Sequence, residues 1–171
     1  IFLYRFAEGL AMKIAPLFLK DSTEVGGLGL SNEQYGLVYG TAGTAAFIIG
    51  SIVAGYFVSV VGLRKALFTL ACAFNIPFVV YLLFAYFQPT SLIVIGCGIV
   101  GEYFGYGFGF VGLTLFMMQQ IAPGKYQMAH YAFANSLMNL GVMIPGMLSG
   151  YLSKVLGYEL FFFIVMLCTL P

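Results

Sequence analysis

Four charged side chains sit inside stretches of this chain that otherwise read as hydrocarbon: Arg5, Glu8, Lys13 and Glu102. A charge at the middle of a membrane costs about 2.5–3.5 kcal/mol on insertion scales, and such groups almost always face a bundle interior or a water-filled cavity. At about 100° per residue on a helix, Glu8 lies about 60° to one side of Arg5 and Lys13 about 80° to the other, so the three share one face. Two readings follow. In one, Arg5 and Lys13 attract an anionic group of a substrate while Glu8 keeps them poised; in the other, Arg5 and Glu8 form an ion pair near the helix end and Lys13 snorkels to the interface. Glu102 has no balancing charge nearby in sequence and lies about 6 Å from the middle of its span. A carboxyl group in such a place either takes up a proton, as a proton-coupling site must, or finds a cation on another span, with Arg5 and Lys13 the candidates. Asn135 and Asn139, one helical turn apart, must find hydrogen bonds from a neighbouring helix or from a bound polar solute.

The elements that carry these groups are set by apolar length. Residues Gln34–Leu63 are uncharged, and so are Ala66–Gly101 and, apart from the neutral His130, Tyr126–Ser153. Eighteen or more such residues in a helix cross a hydrocarbon core of about 30 Å. The chain is 61% hydrophobic and 8% charged, with a mean hydropathy of +1.00, where a soluble domain carries roughly 25% charge. The expected fold is all-α and integral to the membrane. Turn residues divide it into spans at about 2–19, 34–61, 66–87, 92–122, 126–153 and 160–171, the sixth truncated. Ser31 followed by Gln34 has the spacing of a capping box and marks the start of the second span. The chain opens on Ile1 and stops at Pro171 within an apolar run, so it reads as a piece of something longer.

Several functions are disfavoured by what is missing. Cys72, Cys97 and Cys168 are isolated in apolar helices, with the spacing of neither a metal site nor a disulfide framework, so no metal or cofactor is expected. A net charge of +1 offers no basic stripe for a nucleic acid. A single histidine with scattered thiols supplies no nucleophile and base, so the chain does not read as an enzyme. His130 itself reads as structural or as a proton relay, and Asn75, near Pro77, as a partner for carbonyls freed by a proline kink. A membrane scaffold or channel subunit is the alternative to a transporter, but it does not explain three charges on one face together with Glu102. Gly101, Gly105 and Gly109 recur every four residues around Glu102, a spacing that lets helices approach closely or lends hinge freedom.

Two further patterns bear on architecture. Arg64 and Lys65 in the second loop and Lys125 in the fourth fall on one side of alternating helices, and Lys20 and Lys154 on the other; the positive-inside rule makes the Arg64 side cytoplasmic. Gly55-Tyr56-Phe57-Val58-Ser59-Val60-Val61-Gly62 is echoed by Gly150-Tyr151-Leu152-Ser153-Lys154-Val155-Leu156-Gly157. The echo joins the middle members of two helix triplets that point in opposite directions, the inverted construction of many secondary transporters.

Gly55-x-Phe57-x-x-x-x-Gly62-x-Arg64-Lys65 resembles the cytoplasmic signature loop of the major facilitator superfamily, with Ser59 and Val60 where that loop usually has an acid and a base. The order of Leu3-Tyr4-Arg5-Phe6-x-Glu8, Gly29-Leu30-Ser31, Pro145-Gly146-x-x-Ser149-Gly150-Tyr151-Leu152, Gly157 and Leu160-Phe161-Phe162 is similar to the C-terminal half of the bacterial muropeptide permeases, which share a branch with acetyl-CoA transporters. The resemblance implies a six-helix bundle of two inverted three-helix repeats, half of a twelve-helix fold whose N-terminal six-helix half lies elsewhere in the protein. It implies alternating-access transport of a polar solute, anionic or amino-sugar-containing and muropeptide-like, across a bacterial inner membrane and driven by protons. In that scheme Arg5, Glu8, Lys13, Asn135 and Asn139 bind the solute, Glu102 couples protons, and Gly55, Gly62, Arg64 and Lys65 form the gating loop. The expected partners are the solute, protons and the bilayer.

The orientation is testable by labelling. With the three native cysteines replaced, Thr23→Cys should react with a membrane-impermeant maleimide in intact cells and Ser59→Cys should not; the opposite pattern overturns the topology.

Overall fold

A computed structural model describes residues 3–169, so the expected first residue of the first span and the last two of the sixth lie outside the described residues. The described chain is helical with short turns and, among those residues, no strand. Helix α1 (Phe6–Lys20) ends where Asp21 turns extended. The connector then folds back on it: Leu28 N–H donates to Phe18 O at 3.0 Å and Leu30 N–H to Leu19 O at 2.9 Å, burying both leucines. Ser31 and Gln34 form the capping box, each side chain bonding the other's backbone N–H, and start α2 (Asn32–Val61).

Turns between the long helices are tight because single residues adopt left-handed angles. Gly62, at φ 83, by itself separates α2 from α3 (Leu63–Phe87). The third helix therefore starts at Leu63 rather than at the expected Ala66, and Arg64 and Lys65 lie in its first turn rather than in a loop. Within α3, Pro77 forces a short 3-10 turn at Ile76–Phe78. Asn75 does not serve the carbonyl that Pro77 leaves without a donor, that of Ala73; its Nδ2 donates to Ala71 O at 3.0 Å. Helix α4 (Leu92–Ile121) follows. Gln127–Leu167 is helical except at Gly157, whose φ of 73 and ψ of 168 divide it into α5 (127–156) and α6 (158–167).

Four of these stretches, Asn32–Val61, Leu63–Phe87, Leu92–Ile121 and Gln127–Leu167, are long and apolar enough to cross a membrane. Burial agrees with a lipid solvent. Ile52, Tyr56, Phe68, Ile93 and Met147 are exposed on the outside, where a water-soluble protein would not place so many large apolar groups together. With no hydrophobic drive between helices in lipid, association depends on close packing, and α4 provides it. It packs most extensively against α2 and then α3, while α1 packs along α5 and α6. A Cβ added to Gly107 would lie 2.2 Å from Phe47 O of α2, and one on Gly109 would lie 2.4 Å from Phe74 Cβ of α3. Gly105 and Gly109 are thus contact residues, whereas Gly101, the third member of the expected stripe, and Gly55 have open space around them. Gly9 brings α1 onto Val142 and Pro145 of α5 in the same way. Phe18 of α1, Tyr81 of α3 and Phe162 of α6 close one end of the core, with Phe18 and Phe162 edge to face at 5.0 Å and Tyr81 and Phe162 stacked at 5.5 Å.

These contacts separate structural from permissive glycines. Gly107→Ala should cost about 1–3 kcal/mol of stability by overpacking, whereas Gly55→Ala should change it by less than about 0.5 kcal/mol. Thermal unfolding of the purified protein in detergent distinguishes the two, and equal effects would contradict the packing described.

Candidate functional site

The buried charges of α1 and α4 border one cavity between the two helices. Arg5 ends a 3-10 turn, Leu3–Arg5, that leads into α1, and Glu8 lies in the first turn of that helix. The spacing of three puts both on one face, and the guanidinium forks onto the carboxylate, Nε to Oε2 and Nη2 to Oε1. From α4, Tyr106 OH donates to Glu8 Oε1 at 2.9 Å and accepts from Arg5 Nη2 at 3.4 Å. The Phe110 ring lies 5.6 Å from the Arg5 guanidinium carbon, in cation–π range. Glu8 is 0% and Arg5 6% exposed, so each depends on the other to offset desolvation.

Glu102 lies one turn before Tyr106 on α4 and is 6% exposed. Its partner is neither Arg5 nor Lys13, the two cations considered from sequence, but Tyr81 of α3, whose hydroxyl donates to Oε2 at 3.2 Å. Arg5 is engaged by the nearer carboxylate at i+3, and Lys13 is on another flank of α1. There Lys13 is exposed, its Cγ and Cε 3.3 and 3.6 Å from where a Cβ of Gly146 in α5 would be.

Glu8 and Glu102 border one narrow cavity of about 20 Å³, room for about one water-sized group. Tyr39, Tyr81, Tyr103 and Tyr106 line it with them, over an apolar floor of Ala11, Met12, Ala15 and Phe78. The structure thus brings together two of the residues expected to bind solute or protons with two others, Tyr39 and Tyr81, that sequence reasoning passed over. In a chain with twelve tyrosines nothing local marks those two; their role follows from their position opposite Glu102.

The remaining expected residues lie apart from this cavity. Asn135 is half-buried and Asn139 exposed on α5, and neither lines it. Gly55, Gly62, Arg64 and Lys65 are exposed around the α2–α3 turn, and Arg64 borders a separate groove with Leu67, Phe116 and Gln120. His130 is exposed beside Phe133 and Leu137.

Comparison with known proteins agrees with this architecture. The family model described as Major Facilitator Superfamily matches residues 1–170. A protein of Haemophilus influenzae described as uncharacterized is 24% identical over 177 aligned positions, which take in all of this chain and 40% of the relative. The chain therefore spans well under half the length of that relative. No solved structure matches it significantly.

The Arg5–Glu8 pair makes a stability prediction. Glu8→Ala strands a buried guanidinium and should cost about 3–5 kcal/mol, whereas replacing both members by methionine should cost much less. Thermal unfolding of single and double variants measures the difference, and equal losses would show that Arg5 does not depend on Glu8.

Proposed function

The chain belongs to the major facilitator superfamily, and on that premise we propose that it is the C-terminal half of a proton-coupled secondary transporter of a bacterial inner membrane. Members of this superfamily are transporters rather than enzymes, and the long apolar helices make this a multi-pass membrane protein. The observation that carries the finer reading is the convergence of Glu8 and Glu102, from two different helices, on one tyrosine-lined cavity. Intramembrane acids so placed are expensive and are the usual markers of ion and solute paths.

Helix packing supports two inverted triplets. The second helix packs on the fourth as the fifth packs on the first, and the third and sixth meet through Tyr81 and Phe162. Exchanging α1–α3 with α4–α6 preserves this set of neighbours, as a repeat would. Lys13 and Asn139 are exposed on apolar helices. Against lipid such groups are costly, so their exposure supports a second wall supplied by another six-helix half. In the proposed transporter Lys13, Asn135 and Asn139 face that half across the solute path. Arg5 and Glu8 brace the α1 side of the cavity, and the Gly55–Lys65 region works as a cytoplasmic gate. Of the two solute classes suggested by sequence, the anionic one loses the help of Arg5, which is neutralised by Glu8, and the amino-sugar-containing one is left the better supported. A muropeptide-like solute rests on the sequence resemblance alone.

Proton coupling is assigned to Glu102. Ionised, it holds Tyr81 of α3 by a hydrogen bond to a charged acceptor; protonated, it holds it less strongly. Two protonation states thus favour two strengths of contact between α3 and α4, the differential interaction that a driven conformational change requires. Glu102→Gln keeps the volume and removes the charge. In reconstituted full-length protein it should abolish accumulation of solute driven by a proton gradient while preserving solute exchange between the two sides. An unaltered response to the gradient would remove Glu102 from the coupling role.

A further inference from the structure

The cavity between Glu8 and Glu102 is too small for a solute and large enough for a water. Its volume of about 20 Å³ exceeds the roughly 10–15 Å³ that one water needs. The walls are not built to widen. Tyr39 and Tyr103 pack edge to face, at 81° with centroids 5.0 Å apart, and Tyr103 and Tyr106 at 72° and 6.5 Å, so the rings are engaged with one another.

Room alone does not hold a water; the site must also offer about two to four hydrogen-bonding partners. A carboxylate has about four lone-pair positions. Glu8 uses three, for Arg5 Nε, Arg5 Nη2 and Tyr106 OH, whereas Glu102 uses one, for Tyr81 OH on its Oε2. Among the described residues every fully buried side-chain nitrogen and oxygen has a partner. Glu102 Oε1 accepts from no described side chain, so it is not sealed off, and the space that Glu102 borders is this cavity. A water has two protons to donate, one for each carboxylate. We propose that the cavity binds a single water molecule that donates to Glu102 Oε1 and to Glu8, bridging α4 to α1.

On the reading of Glu102 just given, this water is the group through which that carboxylate is protonated. Around it α1 presents Glu8 with Arg5 behind, α2 presents Tyr39, α3 Tyr81, and α4 Glu102, Tyr103 and Tyr106, while Met12 is the exposed member of the lining. A proton brought in as hydronium passes to Oε1 and leaves a neutral water in place. The bridge then reverses on one side, Glu102 donating to the water and the water still donating to Glu8. One proton thus alters the hydrogen bonds of α1 and α3 together, and the Arg5–Glu8 pair stays intact. Because nothing much larger than a water fits, the solute does not compete with the proton for Glu102. It binds elsewhere, and helix movement links the two.

Infrared difference spectra of the full-length protein in vesicles, recorded between alkaline and acid solution, test this. Protonation of Glu102 should raise a carboxyl band and, with it, an O–H band of bound water that shifts when the solvent is replaced by heavy-oxygen water. Both bands should be lost in Glu102→Gln. Should that variant fail to fold, a structure of the wild-type protein fine enough to show waters decides, with one water expected within about 3.2 Å of both carboxylates. A carboxyl band with no water band beside it, or solute density in the cavity, overturns the proposal. So does accumulation that follows a sodium gradient, since a cation would then hold the place of the water. Flux in vesicles keeps the two readings apart: the water band without proton-driven flux retains the water and removes the coupling, and proton-driven flux without the water band does the reverse.

Discussion

The close approach of α4 to its two neighbours is the constraint on which the remaining structure depends. Gly107 lets the helix backbone rest against the Phe47 carbonyl of α2, and Gly105 and Gly109 let it rest against Ala73 and Phe74 of α3. In lipid, where burial of apolar surface gains nothing, such contacts supply the packing that holds helices together. Ser51 adds a hydrogen bond across the same seam, its hydroxyl donating to Gly107 O at 3.2 Å. The approach also has a chemical result. Only with α3 this near can Tyr81 reach Glu102, and only with α2 this near does Tyr39 stand against Tyr103.

Electrostatics then divides the buried charges into two kinds. Arg5 and Glu8 are satisfied locally, by each other and by Tyr106, and form a neutral unit that ties α1 to α4. Glu102 is satisfied only in part, by one neutral hydroxyl. In a medium of low dielectric that difference is large, because an ion pair screens itself whereas a single carboxylate must find a proton or a cation. The neutral unit reads as bracing and the half-satisfied carboxylate as the group able to change state.

The ends of the helices follow a different economy. Gly62 and Gly157 each end a long helix in one residue, by adopting angles that a side chain would strain. On the side of Gly157, the connector after α1 spends several backbone hydrogen bonds folding onto Phe18 and Leu19, and Tyr158 donates to Asp21 across that surface. Turns at Gly62 and Gly157 are minimal, and the connector between α1 and α2 is elaborate.

Much of this was legible in the amino-acid sequence. Apolar length dictates the membrane helices, the Ser31–Gln34 spacing dictates where α2 starts, and the spacing of Arg5 and Glu8 makes their pairing one of two readings. These features are local: a helix needs only its own residues, and two side chains three apart on a helix are neighbours whatever surrounds them. Glu102 could be recognised as costly but not assigned a partner, and the partner is Tyr81, a residue with no distinguishing signal in a chain of many tyrosines. The stripe of glycines around Glu102 was visible too, but not which of its members touch another helix. Lys13 shares a helix face with Arg5 and Glu8 by arithmetic, yet lies against Gly146 outside the cavity, because an arc of that width spans more than one neighbour. Sequence by itself determined the helices, the membrane and which groups are energetically out of place. Tertiary structure decided which of those groups meet, because contacts between helices depend on their rotation and separation, and these are set by small residues far away in the chain.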